Sequence, residues 1–182
     1  MDENSKNHAV TISLARKELL TFFVNHLDKI YSAKQHLVTH LPKIAGGVHF
    51  KDLFLAIRET IEDVEKQMAR MEMIYALLDS DTTPGNYSGL SGLVDDAFTD
   101  IELHSENPEL RDMSILFYLS NIESMEMASF QILQIAAVKL KNEQVKQLIL
   151  ENYDEAKADR TLMLLIAAKY VTSGQSADRN RY

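Results

Sequence analysis

The chain contains no cysteine, which excludes disulfides, thiolate catalysis and thiolate metal sites. Breakers are scarce, with six glycines and three prolines in 182 residues, so long uninterrupted helices have room to form. No apolar run reaches the ~18 residues that a membrane-spanning helix needs. The opening segment MDENSKNHAV has no basic stretch followed by an apolar one, so a secretory signal is not expected and the cytoplasm is the expected location. The NYS sequon at 86–88 then carries no meaning. No glycine-rich phosphate loop and no Ser-His-Asp arrangement is legible. Basic residues are also short, 19 Lys and Arg against 27 Asp and Glu, for a net charge of −8. An acidic surface repels nucleic acid and anionic membranes, and neither is expected as a partner.

What is present suits one soluble domain. The chain is 46% hydrophobic and 25% charged, ordinary values for a globular protein, and long enough to bury a substantial core. The expected organisation is a flexible N-terminus at 1–12, one all-α domain at 13–173 and a flexible tail at 174–182. The first long helix is expected from Ser13, its N-cap, to Leu41, ended by Pro42 and the Gly46-Gly47 pair. The second spans about 50–78. The stretch DSDTTPGNYSG at 79–89 is a loop, and a short amphipathic helix follows at about 90–103. Asn107 and Pro108 start the third long helix as cap and first helical residue, and Asn142 caps the fourth, which ends near Thr172. Short turns make each pair of long helices an antiparallel hairpin. The ~30 residues between the pairs can return along the bundle, so the second and third long helices run parallel. The expected fold is a ferritin-like four-helix bundle whose long crossover carries a short fifth helix.

Apolar residues recur in steps of three and four along each long helix, the spacing of one packed face. In the third long helix the line is Leu116, Leu119, Glu123, Glu126, Phe130, Leu133 and Ala137, with two carboxylates at its centre. In the fourth it is Val145, Leu148, Asn152, Glu155, Asp159, Leu162 and Ile166. The second gives Phe50, Leu53, Ile57, Thr60, Val64, Gln67, Met71, Ile74 and Leu78, with Asp63 beside it. The first gives Leu20, Phe23, Leu27, Ile30, Lys34, Leu37 and Leu41. An unpaired buried charge costs several kcal/mol, so polar groups central to all four lines point to one shared chamber. Facing carboxylates need a metal, a cationic side chain or bound protons, and facing carboxylates are how such bundles hold di-iron and di-manganese centres. A line can be miscounted by one position. The wholly apolar neighbour Ile57, Ile61, Val64, Met68, Met71, Tyr75 and Leu78 would move Asp63 and Gln67 to the edge, where charges are solvated flanks.

Five segments in order carry a resemblance. LDKIYSAKQHLVTHLPKIA (27–45), EKQMARMEMIYALL (65–78), GLSGLVDDA (89–97), NIESMEMASF (121–130) and YDEAKADRTL (153–162) resemble the YciE/YciF family of ferritin-like bacterial proteins. The resemblance implies a ferritin-like bundle, often dimeric, linked with bacterial stress responses and a dinuclear metal site. It implies Glu123, Glu126, Glu155, Asp159, Asp63 and Gln67 as candidate metal ligands, with iron or manganese as the metal. Two positions depart from the family pattern. Lys34 stands where the family has a glutamate ligand, and Ser124 where it has a histidine.

A cation at position 34 removes a ligand and repels a metal, by about 4 kcal/mol for two unit charges 4 Å apart at an effective dielectric of ~20. The Lys34 ammonium is therefore expected to fill the vacated space and pair with Glu123 or Glu155. The expected function is a non-catalytic, stress-associated bundle with a degenerate carboxylate site. An iron- or manganese-binding protein of iron or oxidative-stress handling is the alternative, and a small helical adaptor a third. His36 and His40 have zinc-helix spacing but flank the apolar line and lack a third ligand. The methionines read as core filler, and Tyr31 as a packing residue or a phenol bordering the chamber. A homodimer is expected through Phe22, Val24 and Tyr31, which lie off the main line of the first helix.

Overall fold

The computed structural model describes residues 14–82 and 89–173. The expected Ser13 cap, both flexible termini and most of the expected loop lie outside these residues. The described chain is all-α: α1 (Arg16–Ala45), α2 (Lys51–Leu77), α3 (Leu90–Leu103), α4 (Pro108–Leu140) and α5 (Glu143–Ser173).

Helix starts follow the local sequence where a polar cap exists. The Asn107 side chain accepts from the Leu110 N–H at 3.1 Å, with Pro108 in the first turn. Asn142 accepts from the Val145 N–H at 3.1 Å. Lys141, in the left-handed region at φ 56°, closes the tight α4–α5 turn.

One expected boundary is corrected. α1 does not stop at Pro42 but runs through it to Ala45. A proline in the last turn removes only one backbone hydrogen bond, and Leu41, Ile44 and Ala45 on either side of it are buried against the core.

The α1–α2 turn is held from outside. Arg111 of α4 donates from Nη2 to the Ile44 carbonyl at 3.0 Å, capping the end of α1. Its neighbour Asp112, fully buried, accepts from the N–H groups of His49 at 3.1 Å and Phe50 at 2.7 Å, where α2 begins without a capping side chain of its own. Gly47 leaves room for the guanidinium, since a Cβ there would lie 2.7 Å from Arg111 Nη1.

These contacts fix the directions. The end of α1 meets the start of α4, so those helices are antiparallel, while the starts of α2 and α4 meet, so those two are parallel. Near the end of α5, Tyr170 packs its ring 4.6 Å from that of Phe50 at the start of α2. α1 packs against α2 and α4, α5 against the same two, and α3 covers the edge between α1 and α4. The result is two antiparallel hairpins joined by a long crossover, a four-helix bundle with a fifth short helix.

The core is not continuous. One apolar cluster joins Leu37, Leu41, Ile57, Val94, Leu116 and Met163, with the rest of α3's buried face. A second joins Phe23, Leu27, Met71, Phe130, Leu133 and Ile149 at the other end. A layer of polar residues lies between them.

Candidate functional site

Each long helix delivers buried polar residues to this middle layer: Lys34 from α1, Thr60 and Gln67 from α2, Glu123 and Glu126 from α4, Asn152 and Asp159 from α5. The seven residues sit where apolar side chains would otherwise bridge the two clusters.

Lys34 is the centre of the arrangement. Its side chain is fully buried, and its ammonium donates to Glu126 Oε2 and to Gln67 Oε1. It also lies 5.8 Å from the centroid of the Phe130 ring, within reach of a cation–π attraction. Glu126 is thus the partner, rather than the expected Glu123 or Glu155. Asn152 closes the layer by donating from Nδ2 to the Gln67 carbonyl at 3.3 Å and accepting from Arg70 at 3.2 Å.

Two carboxyls remain without a cation. Both oxygens of Glu123, Oδ2 of Asp159 and Oε1 of Glu126 are buried and have no hydrogen-bond partner among the described residues. Burial, followed by the repulsion of Glu126, pushes the Glu123 carboxyl well above the usual range, with Lys34 opposing. Burial and then Asp63 push Asp159 up to about 7, again with Lys34 opposing. Glu123 therefore favours its protonated form, and Asp159 is about half protonated near pH 7.

The other two expected acids stand at the rim. Glu155 is held by both terminal nitrogens of Arg70, at 2.6 and 2.7 Å, and Asp63 accepts from the half-exposed Lys66 at 2.7 Å. The reason for Glu155 is rotational. The buried line of α5 is Val145, Ile149, Asn152, Ala156, Asp159, Met163 and Ile166, with Leu148 of the expected line also buried beside Ile149. It shares every seventh residue with the expected line but takes the other intermediate member, which turns Glu155 and Leu162 to the edge. In α2 the polar-containing line, not its apolar neighbour, faces the core. Thr60, Gln67 and Ile74 are buried, whereas Ile61 and Met68 are half-exposed.

Arg70 is the residue that the sequence reading missed. It neutralises Glu155, and its position three residues after Gln67 on the α5 side of α2 was the available signal. His36 and His40 lie apart from the layer. His36 faces Asp95 at 3.4 Å, and the His40 ring packs 4.9 Å from Phe98. The Tyr31 hydroxyl donates to Glu72 at 2.7 Å, and burial with that bond raises its pKa to about 12.

The donor set does not fit a dinuclear metal centre. An ammonium sits among the ligands, bonded to Glu126 and Gln67, two of the six candidates, and Glu155 is held by Arg70 instead. Among the described residues, no three histidine, aspartate or glutamate side chains group closely enough to hold a metal ion.

An all-helical bundle with a polar layer across its core defines the class, and the family follows from comparison. Residues 18–175 match the family described as a domain of unknown function, DUF892, and the chain belongs to it. Protein YciF of Escherichia coli K12 is 25% identical over 146 residues, 78% of this chain and 86% of that protein. The crystal structure of the E. coli stress protein YciF superposes with a TM-score of 0.78 at 23% identity, covering 87% of this chain and 98% of that one. YcfI of Rhodopseudomonas palustris gives 0.73 at 23% identity over 82% and 93%. A protein of Xanthomonas campestris gives 0.64 at 15% identity over 88% and 99%. The YciE/YciF resemblance is thus a family relationship, and the fold is that of YciF.

Proposed function

We propose that this chain is a non-catalytic, ferritin-like bundle of the YciF type, in which a lysine takes the place of a metal. The observation that carries this reading is the Lys34 ammonium, fully buried against Glu126 and Gln67. It supplies the positive charge that the facing carboxylates require. The E. coli relative is named a stress protein, and that kinship supports a stress-associated structural role as the proposal for this chain, with the cytoplasm as the proposed location. No described helix is long and apolar enough to cross a membrane, and the net charge of −8 works against binding nucleic acid or an anionic membrane surface.

A second reading, an iron- or manganese-binding protein of iron or oxidative-stress handling, draws on the orphaned oxygens of Glu123, Glu126 and Asp159. It requires the Lys34 ammonium to leave the layer or lose its proton. Anaerobic titration with ferrous iron and with manganese, on the parent and on Lys34→Glu, separates the two. The parent is expected to bind neither metal stoichiometrically, and Lys34→Glu, which restores the family's ligand, to bind tightly. Equal stoichiometry in the two proteins rejects the lysine-for-metal reading.

A further inference from the structure

On the outer side of the bundle, a groove between α4 and α5 contains a cation with no acidic partner. Arg160 of α5 is half-buried and donates from Nε to the Ser124 hydroxyl at 2.7 Å. That hydroxyl donates in turn to the Ser120 carbonyl at 2.6 Å, so its oxygen presents a lone pair to the guanidinium and fixes it in place. The two terminal nitrogens of Arg160 make no hydrogen bond and no ion pair among the described residues. Arg70 and Arg111 differ, since Arg70 grips Glu155 with both terminal nitrogens and Arg111 caps the Ile44 carbonyl.

The groove has a volume of about 320 Å³, and of its lining residues only Arg160 is charged. Pockets for small ligands run from about 300 to 1,000 Å³ and pair apolar walls with a few placed polar groups. Here the two kinds of wall are separated along the groove. α4 and α5 are antiparallel, so Ser124 and Arg160 stand together toward one end, and Leu116, Phe117, Leu164 and Ala167 continue away from them. The apolar part, from Arg160 to Ala167, is about 10 Å long at 1.5 Å per residue. Phe117 and Leu164 are 63 and 45% exposed, so this wall lies open to water.

We propose that the groove binds a small amphiphilic monocarboxylate, with its carboxylate on Arg160 and its tail along Phe117 and Leu164. Three features select that class. The terminal N–H groups of a guanidinium match the two oxygens of a carboxylate, and Ser124 holds the fork ready for them. One cation balances one negative charge, whereas a dianion such as a phosphate monoester meets the surplus repulsion of a chain with a net charge of −8. A tail laid on Phe117 and Leu164 takes apolar surface out of water. The site shares no residue with the polar layer, since Glu123, the neighbour of Ser124, is turned inward at 1% exposure. The proposal therefore stands apart from the role of Lys34.

Octanoate is the probe, and isothermal titration calorimetry on the full chain is the measurement. The parent is expected to bind it at one site with a submillimolar Kd. Acetate has the charge without the tail, and 1-octanol the tail without the charge. Each is expected to bind about 10-fold more weakly or worse. Arg160→Gln removes the charge and should weaken octanoate about 10-fold or more, the scale for a hydrogen bond to a charged group. Leu164→Glu sets a carboxylate beside the tail at an exposed position that folding tolerates, and should abolish binding. Arg58→Gln, exposed on α2 and outside the groove, should leave it unchanged. A parent that does not bind octanoate overturns the proposal. So does 1-octanol binding as tightly as octanoate, which marks apolar adhesion without recognition of charge. Undiminished affinity in Arg160→Gln or in Leu164→Glu overturns it as well, and the second variant keeps the test decisive if the first does not fold.

Discussion

An ammonium buried away from water is stable only if its donors are met by acceptors that gain from it, and at Lys34 they are Glu126 and Gln67. The same residue leaves Glu126 as the one layer carboxylate with a fixed cation. Lys34→Met would keep the volume and remove the charge. Glu126 would then be a buried, uncompensated anion beside two carboxyls that already favour protonation, and Gln67 Oε1 would lose its donor. The expected loss is about 3 kcal/mol or more, the scale for removing one partner of a buried pair. Urea unfolding at pH 7 measures it. A change below ~1 kcal/mol would mean that the pair is dispensable. The chamber was legible because Lys34, Gln67, Glu123, Glu126 and Asp159 interrupt apolar lines in the sequence. Which carboxylate meets the lysine was not, because that choice depends on the register of α1 against α4. Periodicity within either helix does not contain it.

At the scale of elements, the helices were legible in outline from their own residues. Asn107-Pro108 and Asn142 start α4 and α5 as their local chemistry dictates. α2 is different. Phe50 offers no capping oxygen, and the acceptor for its N–H comes from Asp112, 62 positions further along the chain. No local pattern marks such a cap, since it exists only once α4 lies beside the α1–α2 turn. Asp112→Ala would leave the part-buried His49 and Phe50 N–H groups without their charged acceptor, at a cost of about 2 kcal/mol. The expected result is a lower urea midpoint with an unchanged slope, together with faster amide exchange at the start of α2. Unchanged exchange there would show that water or another group replaces the cap.

For the whole molecule, the polar layer makes stability depend on pH in an unusual direction. Asp159 titrates at about 7 in the folded chain against 3.8 as its ordinary value, and Glu123 is raised in the same direction. Between pH ~4 and ~7 the folded state therefore holds protons that the unfolded chain has released, so stability falls as pH rises. For Asp159 alone the full effect is about 4 kcal/mol, because each tenfold gain in proton affinity is worth roughly 1.4 kcal/mol. The window to examine is pH 5 to 8, which brackets the loss of the Asp159 proton. The thermal midpoint of the parent is expected to fall across it. Asp159→Asn should be more stable than the parent at pH 8, with the advantage shrinking toward pH 5. A gain that does not vary with pH would remove the proton from the explanation.

The sequence by itself determined the helices, their approximate ends, the two-hairpin topology, the family and the polar interruption of every core line. The family rests on the resemblance of five segments; the rest follow from local propensity, caps, loop length and the three-four spacing, which are properties of the chain along its own length. Only the tertiary structure decided how each helix is turned about its axis. In α5 the lines through Leu148 and Glu155 or through Ile149 and Ala156 share Val145, Asn152, Asp159 and Ile166, and both fit the spacing equally well. The pull of Arg70 on Glu155, and the burial of Ile149, Ala156 and Met163 in the bundle, select the second. One residue is a step of about 100° around a helix of 3.6 residues per turn. A neighbour that settles the choice by one position therefore moves a carboxylate from the centre of the chamber to its rim, and no count along a single helix supplies that neighbour.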